Sequence, residues 1–180
     1  MKMVIVLVLV GAGLLGLVVY AQMQGEDTTE ETSGAVVTAT RGSAPAAKPV
    51  MHASGFKLED YRGEVVVMDF WATWCGPCKM AMPGVQKLHE KFQGRPVRVF
   101  GMSCWERGGD PASYMKQNGF TYSLVTNTDQ IAQGYGVRGI PHFVVIGVKG
   151  ETLMSVSGYS KANEEKLAQT VEQHLKDNNL

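Results

Sequence analysis

The chain has 180 residues with 17 basic and 17 acidic side chains, so its formal net charge at pH 7 is zero. This balance gives no electrostatic reason to expect a nucleic acid as a partner. The three cysteines are too few for a fold held together by disulfides, and an odd number cannot pair completely within one chain. The length fits one folded domain with additional segments.

The amino-terminal segment, residues 1–21, predicts that the rest of the chain is exported. It carries one positive charge, Lys2, followed by an uncharged run over residues 3–19. This run is longer than the apolar part of most signal peptides and about long enough to span a membrane. Residues 19–21 also fit a cleavage site, so a signal peptide is the alternative. We favour a retained single-pass anchor in the cytoplasmic membrane, with the folded domain facing the periplasm or cell exterior.

The next segment, residues 22–52, is rich in Thr, Ser, Gly, Ala, Glu and Pro and has few large apolar side chains. Such a composition buries too little surface to offset the entropy lost on ordering, so we predict a flexible linker. The folded domain is then expected over residues 53–180, which is long enough for a core of its own.

The hydrophobic pattern of this domain predicts an α/β fold with a central sheet and helices on both faces. The run at residues 65–70 is apolar except for Asp69, which is typical of a strand covered on both faces. The other predicted strands are residues 56–58 (an edge strand), 97–102, 143–147 and 152–157, with a tight turn at 149–150. The predicted helices begin at Pro77, Asp110-Pro111, Thr128 and Ser160.

Cys75 and Cys78 are separated by two residues at the predicted start of a helix. On a helical first turn this spacing places the Cα atoms roughly 4–7 Å apart, within reach of a disulfide. The helix N-terminus stabilises a thiolate at Cys75 and lowers its pKa below the free value of about 8.5. The pair therefore predicts a redox site. A structural disulfide or half of a zinc site are the alternatives, although the sequence has no second cysteine pair to complete a zinc site.

Two segments resemble the signatures of the thioredoxin superfamily: Phe-Trp-Ala-Thr-Trp-Cys-Gly-Pro-Cys-Lys at 70–79 and Tyr-Gly-Val-Arg-Gly-Ile-Pro at 135–141. The residues at 56–63, together with Pro83, resemble the membrane-anchored TlpA/ResA/DsbE branch of extracytoplasmic thiol–disulfide oxidoreductases. The resemblance covers about residues 56–175. It implies a thioredoxin-like fold with a mixed central sheet of four or five strands.

The resemblance also implies roles for individual residues. Cys75 would be the exposed nucleophile and Cys78 the buried resolving thiol, together forming the redox-active disulfide. A cis peptide bond between Ile140 and Pro141 would face this disulfide. The backbone beside Pro141 would then pair with an extended substrate strand next to Cys75.

Asp69 completes the catalytic candidates, because burial among valines would raise its pKa toward neutrality and let it deprotonate Cys78. It matches the buried acid of thioredoxin proper, where many members of the anchored branch carry another polar residue. That branch often has a Glu three residues after the second cysteine, where this chain has Ala81. Asp69 is therefore predicted to be the site's only built-in carboxylate base.

Further residues are candidates for contact with the substrate. Trp74 would shape the docking surface, whereas Trp71 is interpreted as packing. His142 replaces the Thr usual in the family and would tune the thiolate or meet substrate, with a packed or solvent-facing strand histidine as the alternative. The remaining candidates are Gly76, Pro77 and Ile140. Cys104 is interpreted as a small buried side chain, with a regulatory or mixed-disulfide role as the alternative.

Together these features predict an extracytoplasmic protein-disulfide reductase without cofactor or resident metal. It would be recharged by a membrane thiol donor of the kind the family uses, with cell redox homeostasis and cytochrome c maturation as roles implied by resemblance. Two other functions stay open: a peroxidase of the peroxiredoxin group, and a copper-binding module using Cys75, Cys78 and His142.

Overall fold

The computed structural model describes residues 50–180. The expected anchor at 1–21 and the expected linker up to residue 49 lie outside this range. No helix within residues 50–180 is both long enough and apolar enough to cross a membrane.

A six-stranded mixed sheet forms the centre of the domain. Its strands are β1 (Val50–His52), β2 (Val65–Trp71), β3 (Val97–Ser103), β4 (Ser123–Thr126), β5 (His142–Ile146) and β6 (Thr152–Ser157). Their spatial order is β1-β4-β3-β2-β5-β6. The first four strands in this order are parallel, and β5 runs antiparallel to both β2 and β6. The thioredoxin-like α/β fold is thus confirmed, but the expected count of four or five strands is wrong.

The two unpredicted strands are the short ones at one side of the sheet. β1 falls in the last three residues of the expected linker and is held by parallel pairing with β4. β4 has only four residues, too few to show a period. Both strands are recognisable only from the neighbours with which they pair.

The edge strand predicted over residues 56–58 is wrong. This part of the chain forms two 3₁₀ turns, Ala53–Gly55 and Leu58–Tyr61. The rings of Phe56 and Tyr61 lie against Phe100, with centroid distances of 5.1 and 5.0 Å. The segment therefore packs across one face of the sheet, and its alternating apolar residues reflect that packing.

Within residues 50–180, four α-helices cover the two faces of the sheet: α1 (Gly76–Lys91), α2 (Pro111–Gln117), α3 (Asp129–Gly134) and α4 (Lys161–Asp177). Asp110 and Ser160 cap α2 and α4 as predicted, each accepting a hydrogen bond from a backbone N–H in the first turn. Thr128 precedes α3 but donates its hydroxyl to the carbonyl of Ser103 instead of capping the helix.

The sheet separates two clusters of buried side chains. Val65, Val67 and Trp71 of β2 pack in the cluster that includes α1 and α4, whereas Val66, Met68 and Phe70 pack with α3 on the opposite face. Because side chains alternate along a strand, Asp69 points to the α1 side. Cys78 belongs to that same cluster. The acid and the resolving cysteine therefore share one side of the sheet.

Candidate active site

Cys75 and Cys78 form a disulfide at the start of α1, with their Cα atoms 5.3 Å apart. Cys75 is the N-cap residue of this helix, and the backbone N–H of Cys78 donates to its Sγ atom over 3.2 Å. Pro77 occupies the first turn, where its missing N–H costs nothing. When the disulfide is reduced, the same N–H and the helix dipole stabilise negative charge on Cys75.

The two cysteines differ in exposure less than the resemblance implied. Cys75 exposes 4% of its surface and Cys78 exposes none. The expected exposed nucleophile is thus largely covered in the disulfide form. It is still the one sulfur of the pair that a substrate can approach, and Trp74, Gly76 and Pro77 beside it are exposed.

The peptide bond between Ile140 and Pro141 is cis, as the resemblance implied. The carbonyl oxygen of Ile140 lies 3.7 Å from Cys75 Sγ, although the two residues are 65 positions apart in the chain. Ile140 is half-buried and Pro141 is buried. The sheet brings this segment to the disulfide because β2, which leads into Cys75, pairs directly with β5, which follows Pro141.

Asp69 lies in the middle of β2 and is completely buried. Neither carboxyl oxygen has a hydrogen-bond partner within residues 50–180. Burial raises its pKa from 3.8 to about 8, because the charged form loses its hydration without gaining a compensating contact. An acid with such a pKa can exchange a proton near neutral pH.

A loop after β3 holds the segment that precedes Cys75, which the sequence did not predict. The Glu106 carboxylate accepts hydrogen bonds from the Thr73 N–H and the Ser103 hydroxyl, both at 2.9 Å, and from the Thr73 hydroxyl. The Trp74 indole N–H donates to the carbonyl of Trp105 over 2.7 Å. The contacts to Thr73 and Trp74 link residues more than 30 positions apart, so no local pattern reveals them.

The chain matches the family model described as the AhpC/TSA family over residues 43–153. The chain belongs to the AhpC/TSA family. Its most similar relatives include the thiol–disulfide oxidoreductase ResA of Geobacillus thermodenitrificans, 30% identical over 161 residues that cover 88% of this chain and 86% of the relative. Thioredoxin 1 of a Nostoc species is 31% identical over 68% of this chain and 92% of its own length.

Among solved structures, the chain is similar to one assigned to a thiol:disulfide interchange protein DsbE from Chlorobium tepidum. That match has a TM-score of 0.63 and 29% identity, and it covers 74% of this chain and 95% of the other. Within the AhpC/TSA family, this chain is thus a ResA/DsbE-like thiol–disulfide oxidoreductase. Its substrates are molecules that contain disulfides.

In this oxidoreductase His142 is a packed strand residue. Its Nδ1 lies 2.6 Å from the Ser157 hydroxyl and its Nε2 lies 2.8 Å from the Ser155 hydroxyl. Burial lowers its pKa below the ordinary value of 6.5, which favours the neutral ring. Both ring nitrogens therefore lie within hydrogen-bond distance of serine hydroxyls of β6.

Cys104 is the free cysteine of the described part of the oxidoreductase and exposes 1% of its surface. It packs in the cluster on the opposite face of the sheet from Cys78. Burial, reinforced by the nearby carboxylates of Asp129 and Asp69, raises its thiol pKa to about 12. These surroundings fit the interpretation of Cys104 as a small buried side chain.

Proposed function

We propose that this oxidoreductase reduces protein disulfides outside the cytoplasmic membrane, with Cys75 as nucleophile, Cys78 as resolving thiol and Asp69 as general base. The observation that carries the proposal is the buried, unpartnered Asp69 on the same face of the sheet as Cys78. A proton acceptor with a pKa near 8 suits a thiol that must ionise before it attacks.

The first step forms a mixed disulfide. The Cys75 thiolate attacks one sulfur of a substrate disulfide, so the Cys75–substrate S–S bond forms while the substrate S–S bond breaks. The departing substrate sulfur leaves as a thiolate and takes a proton from water. The N–H of Cys78 and the helix N-terminus favour the initial thiolate.

The second step releases the reduced substrate. Cys78 gives its proton to Asp69, and the resulting thiolate attacks Cys75 Sγ. The bond between Cys75 and the substrate breaks, the second substrate thiolate leaves, and the disulfide seen in the structure forms. Two electrons have then passed to the substrate, and a dithiol donor must supply two electrons for the next cycle.

The substrate is proposed to lie across Trp74 and the Ile140–Pro141 segment, with Gly76 and Pro77 in contact. Trp74 is 41% exposed, and the guanidinium carbon of Arg107 lies 4.0 Å from the centre of its ring. An aromatic ring held in place by a cation and a backbone hydrogen bond presents a rigid surface next to Cys75.

The direction of electron flow and the location are also part of the proposal. Similarity to a thioredoxin and the Gly-Pro pair between the cysteines favour reduction. The apolar run in residues 1–21 favours a membrane anchor and a membrane thiol donor. Cytochrome c maturation is a pathway in which such a reductase would serve.

A pH series on the full chain tests the proposal. Pre-reduced protein is mixed with an excess of a disulfide-bonded peptide between pH 5 and 9, and mixed disulfide and free peptide thiol are followed separately. Cys75→Ser should form no mixed disulfide, and Cys78→Ser should stop at it. Asp69→Asn should form it normally but release substrate about 100-fold more slowly near pH 7.

Unchanged release by Asp69→Asn at every pH would refute the role of Asp69. The reduction potential of the Cys75–Cys78 pair tests the direction: about −270 mV resembles thioredoxin, whereas about −120 mV would contradict a reductase. Faster consumption of hydrogen peroxide than of the peptide disulfide would instead indicate a peroxidase.

A further inference from the structure

Four polar atoms buried on the α1 side of the sheet have no hydrogen-bond partner within residues 50–180. They are both carboxyl oxygens of Asp69, Nε1 of Trp71 and the hydroxyl of Tyr122. Asp69 and Trp71 are fully buried, and Tyr122 exposes 1% of its surface. Buried polar atoms in proteins are nearly always paired, either with protein or with ordered water. Three such side chains on one side of the sheet therefore point to a common function.

Gly101 shows that these groups lie next to one another. It is the residue of β3 that pairs with Asp69, and neighbouring strands are about 4.8 Å apart. A Cβ atom on Gly101 would lie 3.0 Å from Trp71 Nε1 and 3.0 Å from Tyr122 Cε2. Paired residues on adjacent strands point to the same face, so the indole nitrogen and the phenol ring lie beside the Asp69 side chain. The absence of a side chain at Gly101 provides the space that they occupy.

The chemistry of the three groups is complementary. The Trp71 indole can only donate a hydrogen bond, and an ionised carboxylate can only accept. Burial and the charge of Asp69 raise the pKa of Tyr122 well above 10, so its hydroxyl keeps a proton to donate. Polar groups that are close but not bonded directly are commonly joined by a buried water with two to four partners.

We propose that Tyr122 and Trp71 are positioning residues for Asp69, which donate hydrogen bonds through buried water to its carboxylate and thereby set how readily it accepts the proton of Cys78. This inference rests on the proposed role of Asp69 as general base. It identifies a residue of the β4 region, outside both sequence signatures, as part of the proton-transfer apparatus.

The other titratable side chains near this cluster come from several different elements of the fold. Cys78 approaches from α1, and Tyr114 of α2 packs against Trp71 with a centroid distance of 5.7 Å. His89 of α1 lies 6.4 Å from the Tyr122 ring, and its pKa is lowered by burial. From the far face, the carboxylate of Asp69 contributes to the raised pKa of Cys104. β5 contributes the apolar Phe143 opposite Asp69.

The test is a pH titration of the Asp69 carboxyl carbon by NMR in the full-length reduced protein. Tyr122→Phe removes one donor and keeps the ring, so the midpoint of Asp69 should rise by about one pH unit, a tenfold loss of carboxylate at lower pH. The matched control is Tyr135→Phe, since Tyr135 packs on Phe70 on the opposite face and its loss should leave the midpoint unchanged.

A second readout needs no substitution. In the unaltered protein the chemical shift of the Trp71 indole N–H should change as the Asp69 carboxyl titrates, with the same midpoint. This measurement also tests the inference if Tyr122→Phe does not fold. The inference would be overturned if the titration midpoint of Asp69 were unchanged in folded Tyr122→Phe. It would also be overturned if the Trp71 indole resonance did not change as Asp69 titrates. If Asp69→Asn leaves the rate of substrate release unchanged, the proposed role of Asp69 as general base is wrong, regardless of the result for Tyr122→Phe.

Discussion

Replacing Asp69 with asparagine should stabilise this oxidoreductase in a manner that depends on pH. The pKa of the carboxyl is 3.8 in an ordinary environment and about 8 in the fold. Between these values the folded protein retains a proton that the unfolded chain releases. The contribution of Asp69 to the free energy of unfolding is therefore highest below pH 3.8 and falls as the pH rises toward 8, by about 1.4 kcal/mol per pH unit.

The expected effect follows from the three pH units between the ordinary pKa and pH 7. Asparagine does not titrate, so the stability of Asp69→Asn relative to the unaltered protein should grow by about 4 kcal/mol between pH 4 and pH 7. Above pH 8 the difference should become constant.

Denaturation by guanidinium at a series of pH values, with the Cys75–Cys78 disulfide intact, measures this difference. Asp177→Asn serves as the control, because Asp177 is an exposed carboxylate at the end of α4 and its removal should give no comparable trend. A difference between Asp69→Asn and the unaltered protein that does not change with pH would show that Asp69 is not held protonated by burial, and the argument for its role would fail with it.

Two further predictions concern the other cysteine and the loop after β3. In the reduced, folded protein at pH 8, iodoacetamide should modify Cys75 well before Cys104, because burial raises the pKa of Cys104 to about 12 and keeps its thiol protonated. Mass spectrometry of the peptides measures the two rates of modification. Equal rates would contradict the prediction. Glu106→Gln, which weakens the contacts to Thr73 and Ser103, should lower the rate of mixed-disulfide formation several-fold, whereas Glu165→Gln on the exposed face of α4 should not.

The sequence by itself determined the features that are local in the chain. Cys75 and Cys78 lie within one helical turn, so their spacing and the N-terminus of α1 were sufficient to predict that they approach each other. The apolar strand around Asp69 predicted its burial and the direction of its pKa shift in the same way. The caps at Asp110 and Ser160 depend on residues three positions away and were also predicted correctly.

Tertiary structure alone decided the features that depend on distant neighbours. β1 and β4 are too short to show a period; β1 is held by pairing with β4, and β4 also pairs with β3. The serines of β6 occupy the nitrogens of His142, and Glu106 reaches back to the segment before Cys75. The grouping of Trp71 and Tyr122 beside Asp69 requires a glycine on the adjacent strand. Contacts of this kind join residues from 13 to 75 positions apart, where the spacing of side chains along the chain carries no information about their distance in space.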